Sequence, residues 1–116
     1  MTIEVKYMDL SQSKCKPCEK GVPPLTPEEL ESYKQDDFFS WDIVDNKKIV
    51  KDFKFDNYSQ TIAFVNKVAY LAEDEGHHPV MHVYFSKVTV EYWTHAIDGL
   101  SENDFIMAAK LDEIHV

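Results

Sequence analysis

The sequence predicts an α+β domain: a four-stranded antiparallel sheet with three helices packed on one face, in the order α-β-β-α-β-β-α. Three observations predict it. Apolar residues alternate with polar ones on both sides of Asp45-Asn46-Lys47, and again between Met81 and His95, which is the period-2 signature of hairpins. Between these stretches the period becomes helical, and helix-start signatures stand at Thr26, Asn57 and Ser101. Hairpins separated by helices assemble an antiparallel sheet with its helices to one side.

Residues 1–25 read as an irregular N-terminal arm, and 26–116 as a single domain. Thr26-Pro27-Glu28-Glu29 opens the first helix, which is predicted to run to about Gln35. Thr is a good N-cap, Pro suits the first turn, and Glu29 completes a capping box. Phe39, Trp41 and Ile43 then alternate with polar residues, as do Ile49, Lys51, Phe53 and Phe55, on either side of the Asp-Asn turn. From Asn57 to Glu75, Ile62, Val65, Ala69 and Ala72 form one helical stripe, with Phe64, Val68 and Leu71 beside it. Gly76 supplies the left-handed stop. So wide an apolar arc predicts a helix that covers the sheet and also meets another subunit. Met81–Phe85 and Val88–His95 read as the second hairpin, and Ser101-Glu102-Asn103-Asp104 opens a last helix reaching about Ile114.

Composition excludes several function classes. The chain has 116 residues, enough for one self-sufficient core. Its net charge is -9, and its 12 basic residues are all Lys and dispersed, which argues against a nucleic-acid surface. Without Arg there is no bidentate clamp for phosphate or carboxylate, so a neutral polar heterocycle is the easier ligand. No apolar run approaches the roughly 20 residues of a membrane span, and the first residues lack the apolar core of a secretory signal. The expectation is a soluble, cytoplasmic protein with no membrane partner.

Three of the five histidines cluster in the pattern: His77-His78-Pro79 between the long helix and a strand, and His95 at the end of the next hairpin. Adjacent residues of an extended segment point opposite ways, so one of the pair can face a pocket while the other meets its rim. Proline restricts His78 to extended geometry. From pattern alone, a polar surface cluster and an acid/base site stand about even. Asp104 reads first as the third residue of a helix cap and second as a site residue. Glu73 carries a negative charge at a helix C-terminus, where it is mildly unfavourable, which favours a site role over a solvated one.

Glu73-(three residues)-His77-His78-Pro79, with Phe85, Thr94-His95, Gly99-Leu100-Ser101 and Asp104, resembles the signature of the pterin-4a-carbinolamine dehydratases. The resemblance covers roughly residues 22–115. It implies an α+β fold that forms dimers through sheet edges, with tetramers through a helix bundle in some members. It implies removal of water from a 4a-hydroxytetrahydropterin to give the quinonoid dihydropterin, which recycles the cofactor of aromatic amino-acid hydroxylases. His77 and His95 would then be the acid/base pair, with Glu73 orienting a histidine. His78, Pro79, Met81, Trp93, Thr94 and Asp104 would bind the pterin. Histidine suits this chemistry because its ordinary pKa of about 6.5 lets it give and take protons near neutrality. No metal and no cofactor is implied.

Two positions depart from the family pattern. Met81 stands where an aromatic is common, and Trp93 where small hydroxyl residues are common; Trp93 supplies either a replacement stacking face or an oligomer contact. Some relatives by resemblance are binding proteins rather than enzymes, a coactivator and assembly factors among them, the latter with a degraded histidine motif that this chain keeps intact. Cys15-Lys16-Pro17-Cys18 has no second pair for zinc. It reads as reduced thiols first and as a redox latch second.

Overall fold

A computed structural model describes residues 7–17 and 22–116. Helices α1 (Pro27–Lys34), α2 (Tyr58–Glu75) and α3 (Glu102–Asp112) alternate with the hairpins β1 (Asp42–Val44)/β2 (Lys48–Lys54) and β3 (Val80–Val83)/β4 (Lys87–Tyr92). The strands form one antiparallel sheet in the order β1-β2-β4-β3. The predicted architecture and element order are those observed.

The local chemistry accounts for the boundaries. Thr26 and Glu29 form the reciprocal capping box of α1. Asp45 and Asn46 both take positive φ, 52° and 56°, the backbone of a tight type I′ hairpin turn. Asn57 caps α2 by accepting from the Gln60 amide at 2.9 Å. Gly76 ends it in the left-handed conformation at φ 66°, its N–H reaching the carbonyls of Ala72 and Glu73. Although a methyl group there would meet no neighbouring atom, the left-handed backbone alone strains any other residue. Gly76→Ala is therefore expected to lower stability by about 1 kcal/mol, read as a reduced urea midpoint.

Side-chain alternation separates the two faces of the sheet. Ile49, Val88, Val90 and Tyr92 are buried beneath Phe64 and Val68 of α2 and Phe105 of α3. The opposite face carries Lys48, Glu91 and His82 in one ion-paired row, Lys48 Nζ–Glu91 Oε1 2.5 Å and His82 Nε2–Glu91 Oε2 2.6 Å. These partners hold the Glu91 carboxyl below its usual range, through hydrogen bonds from Lys48 first and His82 second.

Several boundaries differ from the sequence reading; β1 starts at Asp42 rather than Phe39, and β3 spans Val80–Val83 rather than Met81–Phe85. The last helix ends at Asp112 rather than about Ile114. Strand β4 ends at Tyr92, and His95 opens a short 3-10 turn, His95–Ile97, instead of closing the strand. The stretch expected to be irregular contains a 3-10 turn, Tyr7–Gln12, whose Tyr7 and Leu10 are buried in the core. Tyr7 donates to Asp112 Oδ2 at 2.6 Å, and Trp41 Nε1 and Lys51 Nζ reach the same carboxylate. A strap thus lies over α3 and leaves that helix buried nearly all round. A polar-looking terminal segment hides this docking because, among its described residues, Tyr7 and Leu10 are the fully buried apolar side chains and the remaining attachments are polar.

Candidate active site

At one end of the sheet, a cavity of about 610 Å³ opens between the end of α2, the start of β3, the end of β4 and the start of α3. Its lining includes His77, His78, Pro79, Trp93, Thr94 and His95. Six of the nine residues selected from sequence therefore meet at one pocket, of a volume suited to a small heterocycle.

His77 is the most constrained of them. Its Nε2 lies 2.6 Å from Asp104 Oδ1, its ring stacks on Tyr92 at 5.2 Å between centroids, and its carbonyl accepts from the Tyr92 hydroxyl at 3.1 Å. Burial, with Cys15 and Asp104 nearby adding to it, pushes the Tyr92 phenol far above its ordinary pKa, so it stays a neutral donor. The side chain of Asp104 has no exposed surface, and its Oδ2 accepts from Thr94 Oγ1 at 2.8 Å and from the Ser101 amide at 2.9 Å. A carboxylate offers only acceptors, so this network assigns the proton of the His77–Asp104 bond to Nε2. One Asp104 oxygen caps α3 and the other meets His77.

His95 lies exposed at the head of its 3-10 turn, with the Trp93 ring 4.6 Å from its own. Thr94 lies between them, buried, with its hydroxyl shared by Asp104 and Ser101.

Glu73 meets a histidine, and it is the exposed one: its carboxylate lies 3.0 Å from His78 Nε2, and the two side chains are 82% and 62% exposed. Glu73 sits near the end of α2 and outside the cavity lining, whereas His77 is met by Asp104. Two expectations need correction. Met81 does not line the cavity. Strand alternation turns it towards the core, and its neighbour Val80 lines the wall. Asp104 likewise does not line the cavity: its side chain is sealed and meets His77 instead.

The sequence reading missed Glu75, Asn103 and the segment Cys15-Lys16-Pro17, all of which line the pocket. Asn103 and Glu75 look like ordinary helix-end polar residues in sequence, and nothing local signals that the arm returns to them. Cys18 of the Cys pair lies outside the described residues. Among the described residues no group of three His, Cys, Asp or Glu side chains is arranged to hold a metal ion.

Residues 23–114 match the sequence profile of the pterin 4 alpha carbinolamine dehydratase family. The chain belongs to that family. A Nitrosomonas eutropha protein provisionally named a pterin-4-alpha-carbinolamine dehydratase is 55% identical over 104 residues, 90% of this chain and 91% of its own. An Alkaliphilus metalliredigens protein of the same provisional name is 40% identical over 105 residues, 90% of this chain and 95% of its own. Among solved structures, a Brucella melitensis protein described as a transcriptional coactivator/pterin dehydratase superposes with a TM-score of 0.71 at 31% identity, covering 77% of this chain and 95% of that one. A pterin dehydratase-like protein described as a RuBisCO assembly factor in the alpha-carboxysome gives 0.55 at 28% identity, over 63% of this chain and 86% of that one. The dehydratase family thus includes members described in binding terms as well as catalytic ones.

Proposed function

We propose that this member of the dehydratase family removes water from a 4a-hydroxytetrahydropterin, with His77 and His95 as the proton-transfer pair. The observation that carries the reading is the clamped His77–Asp104 pair (2.6 Å) in a cavity it shares with His95. The reaction breaks the C4a–O bond, and the hydroxyl leaves as water after gaining a proton. A ring N–H gives up its proton as the C=N bond of the quinonoid dihydropterin forms, so no oxidant or cofactor is consumed. With its proton at Nε2, His77 offers Nδ1 as the base, and the buried carboxylate of Asp104 stabilises the imidazolium that results. His95 donates to the leaving oxygen, and solvent then exchanges the protons. The Trp93 face beside His95 suits stacking of a flat heterocycle. Glu73 holds His78 at the rim, where it binds rather than catalyses.

The product would return to an aromatic amino-acid hydroxylase, the setting in which this reaction has a use, and the protein would work in the cytoplasm as a homodimer or homotetramer. The edge strand β3 and the exposed side of α2 are available for such contacts, and solution mass distinguishes two copies from four. A binding role is the second reading, favoured by the assembly-factor description of one structural relative. Retention of His77, His78 and His95 around one cavity favours catalysis.

The test is the rate at which purified protein consumes 4a-hydroxytetrahydropterin. The wild type is expected to exceed the uncatalysed rate clearly, and His95→Ala to lose on the order of 10²-fold in kcat/KM. A wild type no faster than buffer would reject the enzymatic reading and leave the binding role.

A further inference from the structure

We propose that Cys15, Lys16 and Pro17 of the N-terminal strap are a permanent wall of the pterin pocket, held in place by Asn103 and Glu75 as positioning residues. The family match begins only at residue 23, yet Cys15, Lys16 and Pro17 line the same cavity as His77 and His95. The strap is fastened there through its backbone. Asn103, buried at the start of α3, accepts from the Lys16 amide at 2.9 Å and donates to the Lys16 carbonyl at 2.5 Å. Glu75, in the last turn of α2, accepts from the Cys15 amide at 3.1 Å. Its other oxygen lies 3.4 Å from Lys110 Nζ, which itself donates to the Ser11 carbonyl at 2.9 Å.

Peptide groups of an exposed terminal segment are ordinarily left to water. Here the backbone N–H and C=O of one residue, Lys16, are both bonded by the same buried side-chain amide. Upstream, Ser11 Oγ donates to Glu113 Oε1 at 3.0 Å and Tyr7 is bonded to Asp112, so the strap is anchored before the stretch that lines the cavity as well as within it. The anchors also coincide with the catalytic frame. Asn103 holds the strap while its neighbour Asp104 holds His77, and Glu75 precedes His77 by two residues. The helix ends that place the base therefore place the wall facing it, and a ligand between His77 and His95 meets Cys15-Lys16-Pro17 as a fixed surface.

This inference rests on the pterin reading above. In the full chain, Asn103→Ala is expected to raise KM for 4a-hydroxytetrahydropterin, and the dissociation constant of the probe 7,8-dihydrobiopterin, by about 5- to 10-fold, while kcat falls by less. Amide hydrogen exchange at Cys15 and Lys16 should accelerate in the same variant. Glu75→Ala should act likewise, and Glu75→Gln, which keeps the acceptor for the Cys15 amide, should restore most of the affinity. Should Asn103→Ala fail to fold, the Glu75 pair decides the matter alone. Faster exchange in a folded variant with unchanged KM and dissociation constant would overturn the wall and leave the dehydratase reading intact. A wild type that neither turns over nor binds these pterins would overturn both.

Discussion

Replacing His77 by alanine is expected to lower kcat/KM for dehydration by about 10²–10⁴-fold, the range that a positioned acid/base group contributes. Its side chain is 15% exposed and is fixed by a carboxylate on one side and the Tyr92 ring on the other. Such fixing removes the rotamer freedom that would otherwise have to be lost on reaching the transition state. The substitution also leaves Asp104 Oδ1 without its partner in a sealed site, which should cost about 1–2 kcal/mol of stability. The kinetic loss is far larger than that cost, so circular dichroism should report a folded protein at the assay temperature. His78→Ala provides the contrast. His78 is exposed and paired only with an exposed Glu73, so its removal should raise KM more than it lowers kcat.

Asp104 joins catalysis to folding, and its variants should separate the two. Asp104→Ala removes the acceptor of three donors at once: Nε2 of His77, the Ser101 amide and the Thr94 hydroxyl, of which only the last keeps another partner, Ser101 Oγ. Breaking a buried network of this kind is expected to cost about 3 kcal/mol, seen as a fall in Tm of roughly 10–15 °C. Asp104→Asn keeps the volume and one acceptor oxygen, so its stability loss should be smaller. Its kcat should still fall by about 10²-fold or more, because a neutral amide neither holds His77 in the right tautomer nor stabilises its charged form. If Asp104→Asn kept full kcat with a lowered Tm, Asp104 would be only a helix cap.

Much of the scaffold was legible because its signals are local. The Asp45-Asn46 turn, the Thr26 capping box and the Gly76 stop each depend on residues within a few positions of one another, and each is found where the pattern put it. The convergence of His77, His78 and His95 was left open by spacing and implied by the family resemblance; the hairpin ends that carry them are adjacent in the sheet. What was illegible depends on contacts between distant residues. Asp104 was seen as a cap because Ser101 lies three residues away, whereas its bond to His77 spans 27 positions. Glu73 was expected to meet a histidine without its identity being legible, because a helix end places side chains four and five residues on at different angles; the partner is His78. Met81 was assigned to the pocket without settling which face of β3 it occupies, and one residue of strand inverts the answer. The strap was missed for the same reason: Asn103 meets Lys16 across 87 positions.

The most direct test compares single-turnover dehydration of 4a-hydroxytetrahydropterin by the wild type and by the double variant His77→Ala/His95→Ala. The wild type should accelerate the reaction well above buffer, and the folded double variant should fall back to within about tenfold of the uncatalysed rate. A double variant as fast as the wild type would contradict histidine acid/base catalysis at this site.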